Sequence, residues 1–439
     1  MRKYIAPDPA ERPYTRAATS VFWLCFLVYS FSYIGRQNFS ACLPAMIRDG
    51  TITKLWGGSI STAYLIAYAS GQLINGIIGS RIRPLYMITV GLCGAGLCNI
   101  GMGLCDLPIL FLLLWLCNGL FQSMLWSPIV RVFTDYLNEG QRYRAGVNIA
   151  PAIPVGTVLA YLLPALLLER IGWRGVFFTS GGLLLLACAV WVLGNHSLRA
   201  RLAVMAERVR AARPTPHTET IPADTAAPAP KRPSLPAVLL ASGLIPVLFC
   251  LACNGALKDA VNSWAPTFFQ ERFGISEANA ALVSVIIPVV SVSGAYVSTW
   301  INKRFLHNEL YSSGVMFLIA LLSVGGIYLT RERGAVLCAC FLAVSISSMW
   351  GASTMFLTML PYHFAGLGLS SAVSGFLNAG AYAASAICTS LYGLAAEHAG
   401  WDTLIFIWLG IGLLGALACL MVGRLWGKKA GQLDEGTLF

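Results

Sequence analysis

Long apolar runs separated by short polar stretches make up most of the chain. A helix that crosses a membrane needs about 20 mostly apolar residues, and twelve runs reach that length: 19–46, 57–79, 86–104, 108–136, 145–168, 173–194, 238–269, 278–302, 310–330, 335–360, 370–396 and 402–425. The runs are continuous and lack the alternation of apolar and polar residues that marks barrel strands. This pattern predicts an all-α membrane protein with twelve transmembrane helices.

The amino-acid composition is that of a membrane protein, and the location of its basic residues explains the positive net charge. Hydrophobic residues make up 57% of the chain and charged residues 11%, whereas soluble domains carry about 25% charged residues. The formal net charge of +11 comes from Lys and Arg in alternate connections, as at Arg81, Arg83, Lys303 and Arg304. Cytoplasmic loops carry such an excess. We therefore predict that both termini are cytoplasmic, and we expect no nucleic acid partner.

One long polar segment divides the chain into two halves. We predict a cytoplasmic tail at 1–18, a six-helix half at 19–194, a cytoplasmic basic linker at 195–236, a second six-helix half at 237–426 and a cytoplasmic tail at 427–439. Basic residues recur at helical spacing in the first part of the linker. They predict an amphipathic helix on the anionic inner leaflet.

Two features repeat between the halves. The sequence ERIGWRG at 169–175 returns as EHAGWDT at 397–403, each time before the last run of its half. Arg36 and Lys258 are lone cations in apolar runs, and each lies eight residues before a proline, Pro44 or Pro266. Parallel repeats of this kind are the plan of major facilitator transporters, which predicts two pseudo-symmetric six-helix halves.

The two cations are the strongest candidates for a binding site. A charge at bilayer depth costs several kcal/mol unless it is paired or faces water, so it is by default functional. Arg offers a planar fork that binds phosphate or carboxylate bidentately, and Lys offers a compact point charge. Cations at equivalent points of two halves predict one anion site, shared by Arg36 and Lys258.

Aromatic and amide side chains at similar depth are further candidates for the cavity wall. Such residues also serve as packing, as interface anchors or as bridges between helices, so both interpretations stay open for each. The candidates are Tyr29, Tyr33, Gln37, Tyr64, Tyr68, Gln72, Asn118, Gln122, Trp126, Asn262, Trp264, Trp350, Asn378 and Tyr382.

Four further charged residues are candidates for gating or structural roles. Arg131 and Asp135 are four residues apart near the end of a run, which predicts an ion pair. Arg81 lies in the connection after the second run. Asp259 follows Lys258 directly, and neighbouring residues of a helix do not face each other, so we expect Asp259 to pair across the bundle.

The distribution of acids suggests the transport mode. Of nineteen Asp and Glu, Asp259 is the one that falls deep within a run. Carriers coupled to protons or sodium place carboxylates in their pathway, so this distribution favours anion exchange. An empty site with unpaired positive charge would resist reorientation, and either anion would neutralise it. We therefore expect obligatory exchange.

Several motifs resemble the organophosphate:phosphate antiporter family, the bacterial glycerol-3-phosphate and hexose-phosphate transporters of the major facilitator superfamily. NGLFQSMLWSP at 118–128, followed by Arg131, is similar to that family's fourth helix, and WAPTF at 264–268 to its seventh. GFLNAGAY at 375–382 and GWD at 400–402 are similar to its eleventh and twelfth. The resemblance implies that Arg36 and Lys258 bind phosphate and that Tyr29, Tyr33, Tyr68 and Tyr382 surround the pocket.

The chain departs from that family at positions near the predicted site. The family places Lys where this chain has Gln37, Lys where it has Gln72 and His near Pro151, and the acid after the second helix is replaced by Ser80. The site therefore has less positive charge than the family pattern. A monoanion such as a carboxylate, sulfonate or phosphodiester fits this charge as well as a sugar phosphate does.

We therefore expect an inner-membrane antiporter, not an enzyme, that works by alternating access. It would exchange a phosphorylated sugar or glycerol phosphate for inorganic phosphate. The alternatives are a carrier of a monoanionic carboxylate or sulfonate, and a transporter-like sensor of hexose phosphate. A multidrug exporter is disfavoured because such carriers tend to have acidic pockets. The expected partners are the lipid bilayer, the organic anion and phosphate. We expect no cofactor, no metal and a monomer.

Overall fold

The computed structural model describes residues 12–78, 82–149, 151–212, 241–364 and 369–435. We number the spans 1 to 12 in chain order. They are span 1, Arg12–Arg48; span 2, Lys54–Ile78; span 3, Pro84–Leu104; span 4, Pro108–Gln122 and Trp126–Tyr136; spans 5 and 6, within Ala152–Ala212; span 7, Leu244–Gly255, Ala256–Ala260 and Val261–Phe273; span 8, Glu277–Ser284, Ile286–Ile301 and Asn302–Leu306; span 9, Glu309–Thr330; span 10, Ala335–Thr354, Met355–Met359 and Leu360–Phe364; span 11, Ser370–His398; and span 12, Gly400–Asp434.

The twelve-helix prediction is confirmed. In the described part of the chain, nine helical segments are long and apolar enough to cross a membrane, and one of them, Ala152–Met205, holds both spans 5 and 6. Spans 2 and 11 have 25 and 29 residues, also enough to cross. They are more polar because they contact each other through hydroxyl groups, with Thr62 Oγ1 2.7 Å from Ser390 Oγ.

The repeated motif marks the same turn in each half. Gly172 and Gly400 have φ angles of 66° and 79°, a left-handed conformation that glycine adopts without steric cost. Each lets the chain reverse before the last span of its half. The following tryptophans, Trp173 and Trp401, are both buried. The internal repeat seen in the sequence is therefore a structural one.

The predicted bounds of span 4, 108–136, match the structure, but the helix is not continuous, and the predicted start of span 5 at 145 was wrong. Span 4 is interrupted at 123–125, because Pro128 lacks an N–H and its ring crowds the carbonyl four residues earlier. The residues before span 5 form a separate helix, Glu139–Asn148, with a capping box: Asn138 Oδ1 accepts from Gln141 N at 2.9 Å, and Gln141 Oε1 accepts from Asn138 N at 3.2 Å.

The helices at the predicted tails and linker are longer than expected. Span 1 begins at Arg12, span 6 continues to Ala212 and span 12 continues to Asp434. Leu202 and Met205 of the extended span 6 are buried in a cluster with residues at the start of span 1, so this apolar side covers protein instead of lying on a leaflet. Residues 1–11, 213–240 and 436–439, which include the proline-rich linker, lie outside the described residues.

The two halves meet most closely at one end of the bundle. We call the end where span 1 begins and span 12 ends the terminal end, and the opposite end the distal end. In the distal half of span 1, Ser40 Oγ donates to the carbonyl of Ser263 in span 7 at 2.6 Å. In the distal half of span 2, Thr62 Oγ1 donates to the carbonyl of Ala386 in span 11 at 2.5 Å.

Ion pairs join the halves at the distal surface. Arg48 Nη1 lies 2.7 Å from Glu277 Oε2, and Lys54 Nζ lies 2.7 Å from Glu271 Oε2. The backbone N–H of Leu55 also donates to Glu397 Oε2 at 2.9 Å. These contacts close the distal end.

Glycines allow spans 2 and 11 to approach each other closely there. A Cβ on Gly58 would lie 3.0 Å from the Cα of Ser390, and a Cβ on Gly393 would lie 2.7 Å from the carbonyl oxygen of Lys54. Small residues let helix backbones meet in this way. The distal closure therefore combines charge pairing with close helix packing.

Candidate functional site

A cavity of about 300 Å³ lies between the two halves. Residues from six spans form its wall. The volume of the cavity is sufficient for a small organic anion. The predicted candidates that line it are Tyr33, Arg36, Gln37, Lys258, Asn262, Trp350 and Tyr382.

The cavity continues towards the terminal end and narrows towards the distal end. A wider space of about 770 Å³ shares Ala295, Tyr296 and Thr354 with it and extends to Lys303 and Arg304 at the terminal end of span 8. On the distal side of Arg36, the pocket that the described residues form measures only about 50 Å³. The site is thus accessible from the terminal end.

Arg36 lies in a cage of tyrosine rings. Its guanidinium carbon is 4.5 Å from the ring centroid of Tyr68, 5.3 Å from that of Tyr33 and 5.5 Å from that of Tyr64. Tyr64 and Tyr68 share one face of span 2, with stacked rings 6.0 Å apart. Each ring attracts the cation but carries no compensating charge. Among the described residues, no carboxylate lies within ion-pair distance of Arg36.

Lys258 lies on the opposite wall, on a single π-helical turn, Ala256–Ala260. Its Nζ is 4.4 Å from the ring centroid of Trp350 and 3.5 Å from Asp259 Oδ2. Such π-turns are frequent at functional sites. Both cations therefore line the same cavity, one from the first span of each half.

The expectation that Asp259 pairs across the bundle was wrong. Its partner is the neighbouring Lys258, because the wider π-turn reduces the angle between successive side chains and the long lysine side chain reaches the carboxylate. The contact that Asp259 makes with another span is a hydrogen bond from Ser385 Oγ at 3.3 Å. Asp259, predicted as a gating or structural residue, lines both the cavity and the narrow distal pocket.

Other candidates support the wall without lining it. Tyr68 contacts Arg36 and packs on Tyr382, with ring centroids 5.5 Å apart. Gln72 donates to the Tyr68 hydroxyl at 2.8 Å. Tyr29 lies behind Tyr33, with 3.5 Å between their hydroxyls.

The remaining candidates lie away from the cavity wall. Trp126 packs on Tyr29, with ring centroids 5.1 Å apart. Gln122 donates to the carbonyl of Ser32 at 3.0 Å and so bridges spans 4 and 1. Asn378 is half-buried on span 11 and does not reach the wall.

The predicted ion pair at the end of span 4 is present. Arg131 Nε lies 3.3 Å from Asp135 Oδ2, and Arg131 Nη1 donates to the carbonyl of Ile82 at 2.8 Å. The pair therefore joins span 4 to the connection between spans 2 and 3. Arg81, the other candidate in that connection, lies outside the described residues.

Sequence reasoning missed several wall residues. Thr157, Ser291 and Thr354 contribute hydroxyl groups, and Pro151 lines the wall where the resembled family has a histidine. Serine and threonine occur throughout the spans, so nothing in the sequence distinguishes these three.

Trp264, a candidate from the sequence, does not line the cavity. Its Nε1 donates a hydrogen bond to the carbonyl of Thr389 at 3.0 Å.

Twelve spans in two pseudo-symmetric halves with a cavity between them define a polytopic membrane transporter. The sequence profile of the Major Facilitator Superfamily matches residues 25–373. The chain belongs to this superfamily, and it is a transporter, not an enzyme.

Similar proteins carry related names. A probable hexose phosphate transport protein of Chlamydia muridarum is 23% identical over 459 residues, covering 98% of this chain and 95% of the relative. A glycerol-3-phosphate transporter of Haemophilus influenzae is 23% identical over 472 residues, covering 98% and 97%. The membrane sensor protein UhpC of Escherichia coli is 24% identical over 299 residues, covering 67% and 66%.

A solved structure has the same fold. A bacterial homologue of the human lysosomal transporter Spinster, in an inward-facing and unoccupied conformation, superposes with a TM-score of 0.67 at 15% identity and covers 98% of both chains. At this identity, the likeness concerns the fold alone.

Proposed function

We propose that the protein exchanges a small organic phosphate, such as a sugar phosphate or glycerol phosphate, for inorganic phosphate across the inner membrane. The observation that carries the proposal is Arg36, which has no carboxylate partner among the described residues and lies in a tyrosine cage, facing the cavity that Lys258 also lines. A planar guanidinium suits a phosphate oxyanion. The names of the relatives from Chlamydia and Haemophilus support this class of substrate.

The positions of the two cations suggest how binding acts on the halves. Arg36 belongs to span 1 and Lys258 to span 7, so an anion that contacts both would join the halves at their centre. Without an anion, Arg36 keeps an uncompensated charge, which resists burial in a closed intermediate. Loading with either phosphate or an organic phosphate neutralises it. This is our reason for obligatory exchange.

The excess of Lys and Arg at the terminal end supports a cytoplasmic location for it. In that orientation the conformation faces inward, since the cavity opens to the terminal end and ion pairs close the distal end. Transport then requires that the distal contacts break and that the terminal end closes. We propose a monomer as the working unit.

The test is phosphate exchange in proteoliposomes. Vesicles hold unlabelled phosphate, and radiolabelled phosphate is supplied outside. Uptake should require internal phosphate, should be lost in Arg36→Ala and should be retained in Arg333→Ala, which removes the same side chain type from an exposed connection. Sugar phosphates that compete then identify the organic substrate.

Two results would contradict the proposal in different ways. Uptake of equal size into vesicles without internal anion would exclude obligatory exchange. Binding of hexose phosphate without any exchange would instead favour a sensor, the second candidate, which the similarity to a membrane sensor protein supports. Well-folded protein that binds no phosphate compound would exclude both.

A further inference from the structure

Resting on the proposed function, we infer that Asp259 sets the charge of the substrate, and that the site takes singly charged oxyanions in preference to doubly charged ones. The singly charged form of a phosphate monoester belongs to this class. Asp259 acts as a specificity determinant because its carboxylate repels a second negative charge on the ligand.

The charges on the cavity wall support this assignment. Among the described residues, three charged side chains line the cavity: Arg36, Lys258 and Asp259. Two positive charges and one negative charge leave a single net positive charge. A monoanion neutralises this set, whereas a dianion leaves one negative charge, and such a charge is costly to bury when the two halves close around the ligand.

The position of Asp259 makes the effect direct. Its carboxylate is held 3.5 Å from Lys258 Nζ and accepts from Ser385 Oγ at 3.3 Å. About a fifth of its side chain, 22%, remains exposed, and the residue lines both the cavity and the pocket beyond Arg36. An anion placed between the two cations therefore meets the carboxylate at short range.

Lys258 therefore attracts an anionic ligand less strongly than Arg36 does. Asp259 already compensates part of the charge of Lys258, whereas the tyrosine rings around Arg36 are neutral. The neutral Gln37 next to Arg36 adds no charge to the wall. Removing the charge of Asp259 should raise the attraction of the whole site for a dianion more than for a monoanion.

The experiment compares two ligands of one shape at pH 8. Glucose 6-sulfate carries one negative charge, and glucose 6-phosphate carries nearly two, because the second pKa of a phosphate monoester is about 6. Their dissociation constants are measured by isothermal titration calorimetry on the purified full-length protein. The wild type should bind the sulfate ester more tightly. Asp259→Asn should shift the ratio of the two constants towards the phosphate ester by about tenfold or more.

Ser385→Ala provides the matched control, since it removes a hydrogen bond to Asp259 but no charge, and it should leave the ratio close to that of the wild type. A wild type that prefers the phosphate ester would overturn the inference, even if Asp259→Asn does not fold. An unchanged ratio in a folded Asp259→Asn protein would overturn it as well. In both cases the esters still bind, so the proposed function survives. Absence of binding by both esters would instead count against the proposed function itself.

Discussion

The pair between Lys54 and Glu271 should hold the distal end closed, and Lys54→Gln should open it. Their charged atoms are 2.7 Å apart, and the side chains are only 17% and 25% exposed. Glu271 Oε2 also accepts from Trp401 Nε1 at 2.8 Å. A charged hydrogen bond in such a setting contributes about 1.5–3 kcal/mol. A loss of about 2 kcal/mol corresponds to a shift of roughly 30-fold towards the distal-open state.

The neighbouring pair provides a matched control. Arg48 and Glu277 are also 2.7 Å apart, but Arg48 is 58% exposed, so solvent screens the interaction and its contribution is about 0–1 kcal/mol. Arg48→Gln should therefore change the equilibrium by a few-fold at most. The charge reversal Lys54→Glu with Glu271→Lys should restore part of the closure that Lys54→Gln loses.

The opening can be followed by double electron–electron resonance. Spin labels at Leu107 and Arg333, both exposed in distal connections of opposite halves, report the separation of the halves at a distance from the ion pairs. Lys54→Gln should add a population with a longer distance. If its distance distribution matches that of the wild type while the protein stays folded, the pair does not hold the distal end, and the reasoning from burial is wrong.

Three further predictions concern binding, closure and folding. Trp350→Leu removes the aromatic face above Lys258, 4.4 Å from its Nζ, and should weaken anion binding by roughly 3- to 30-fold in calorimetry; unchanged affinity would mean that the ring does not support the site. Gly393→Leu places a side chain where a Cβ alone would lie 2.7 Å from the backbone of span 2, so the same spin labels should report a more open distal end, and an unaltered distribution would contradict close packing there. Gly400→Ala forces a side chain into a φ of 79° and should cost about 1–2 kcal/mol of unfolding free energy, seen as a lower midpoint of thermal unfolding, whereas Gly410→Ala, with open space around it, should not lower it.

Hydrophobicity and charge in the sequence were sufficient to predict the twelve spans and to choose Arg36 and Lys258. Both predictions depend on the free-energy cost of placing polar groups in lipid. This cost restricts the residue type at every position of a span, so the sequence alone contains the information. The repeated motif indicated the two halves, and the structure shows that its glycines, Gly172 and Gly400, form matching turns with a left-handed conformation.

Details that depend on helix rotation could not be predicted. Gln122 and Trp126 lie at suitable depth, yet their sides of span 4 face span 1 and Tyr29 instead of the cavity. The position of Asp259 depends on a single π-turn, and an ideal helix predicts a different direction for that side chain. One extra residue in a single helical turn thus moved the carboxylate of Asp259 to the cavity wall, a position that the sequence did not predict.

The strengths of the distal contacts and of the proposed anion contacts are of the same order. Of the contacts at the distal end, the well-shielded ion pair and the exposed pair together contribute about 1.5–4 kcal/mol. An anion that contacts Arg36 and Lys258 gains hydrogen bonds to charged groups of about 1.5–3 kcal/mol each. A change from 1:99 to 99:1 in a two-state equilibrium requires about 5.5 kcal/mol of differential binding. One small anion between spans 1 and 7 can therefore bias the conformation substantially, provided that it binds the closed intermediate better than the inward-facing state.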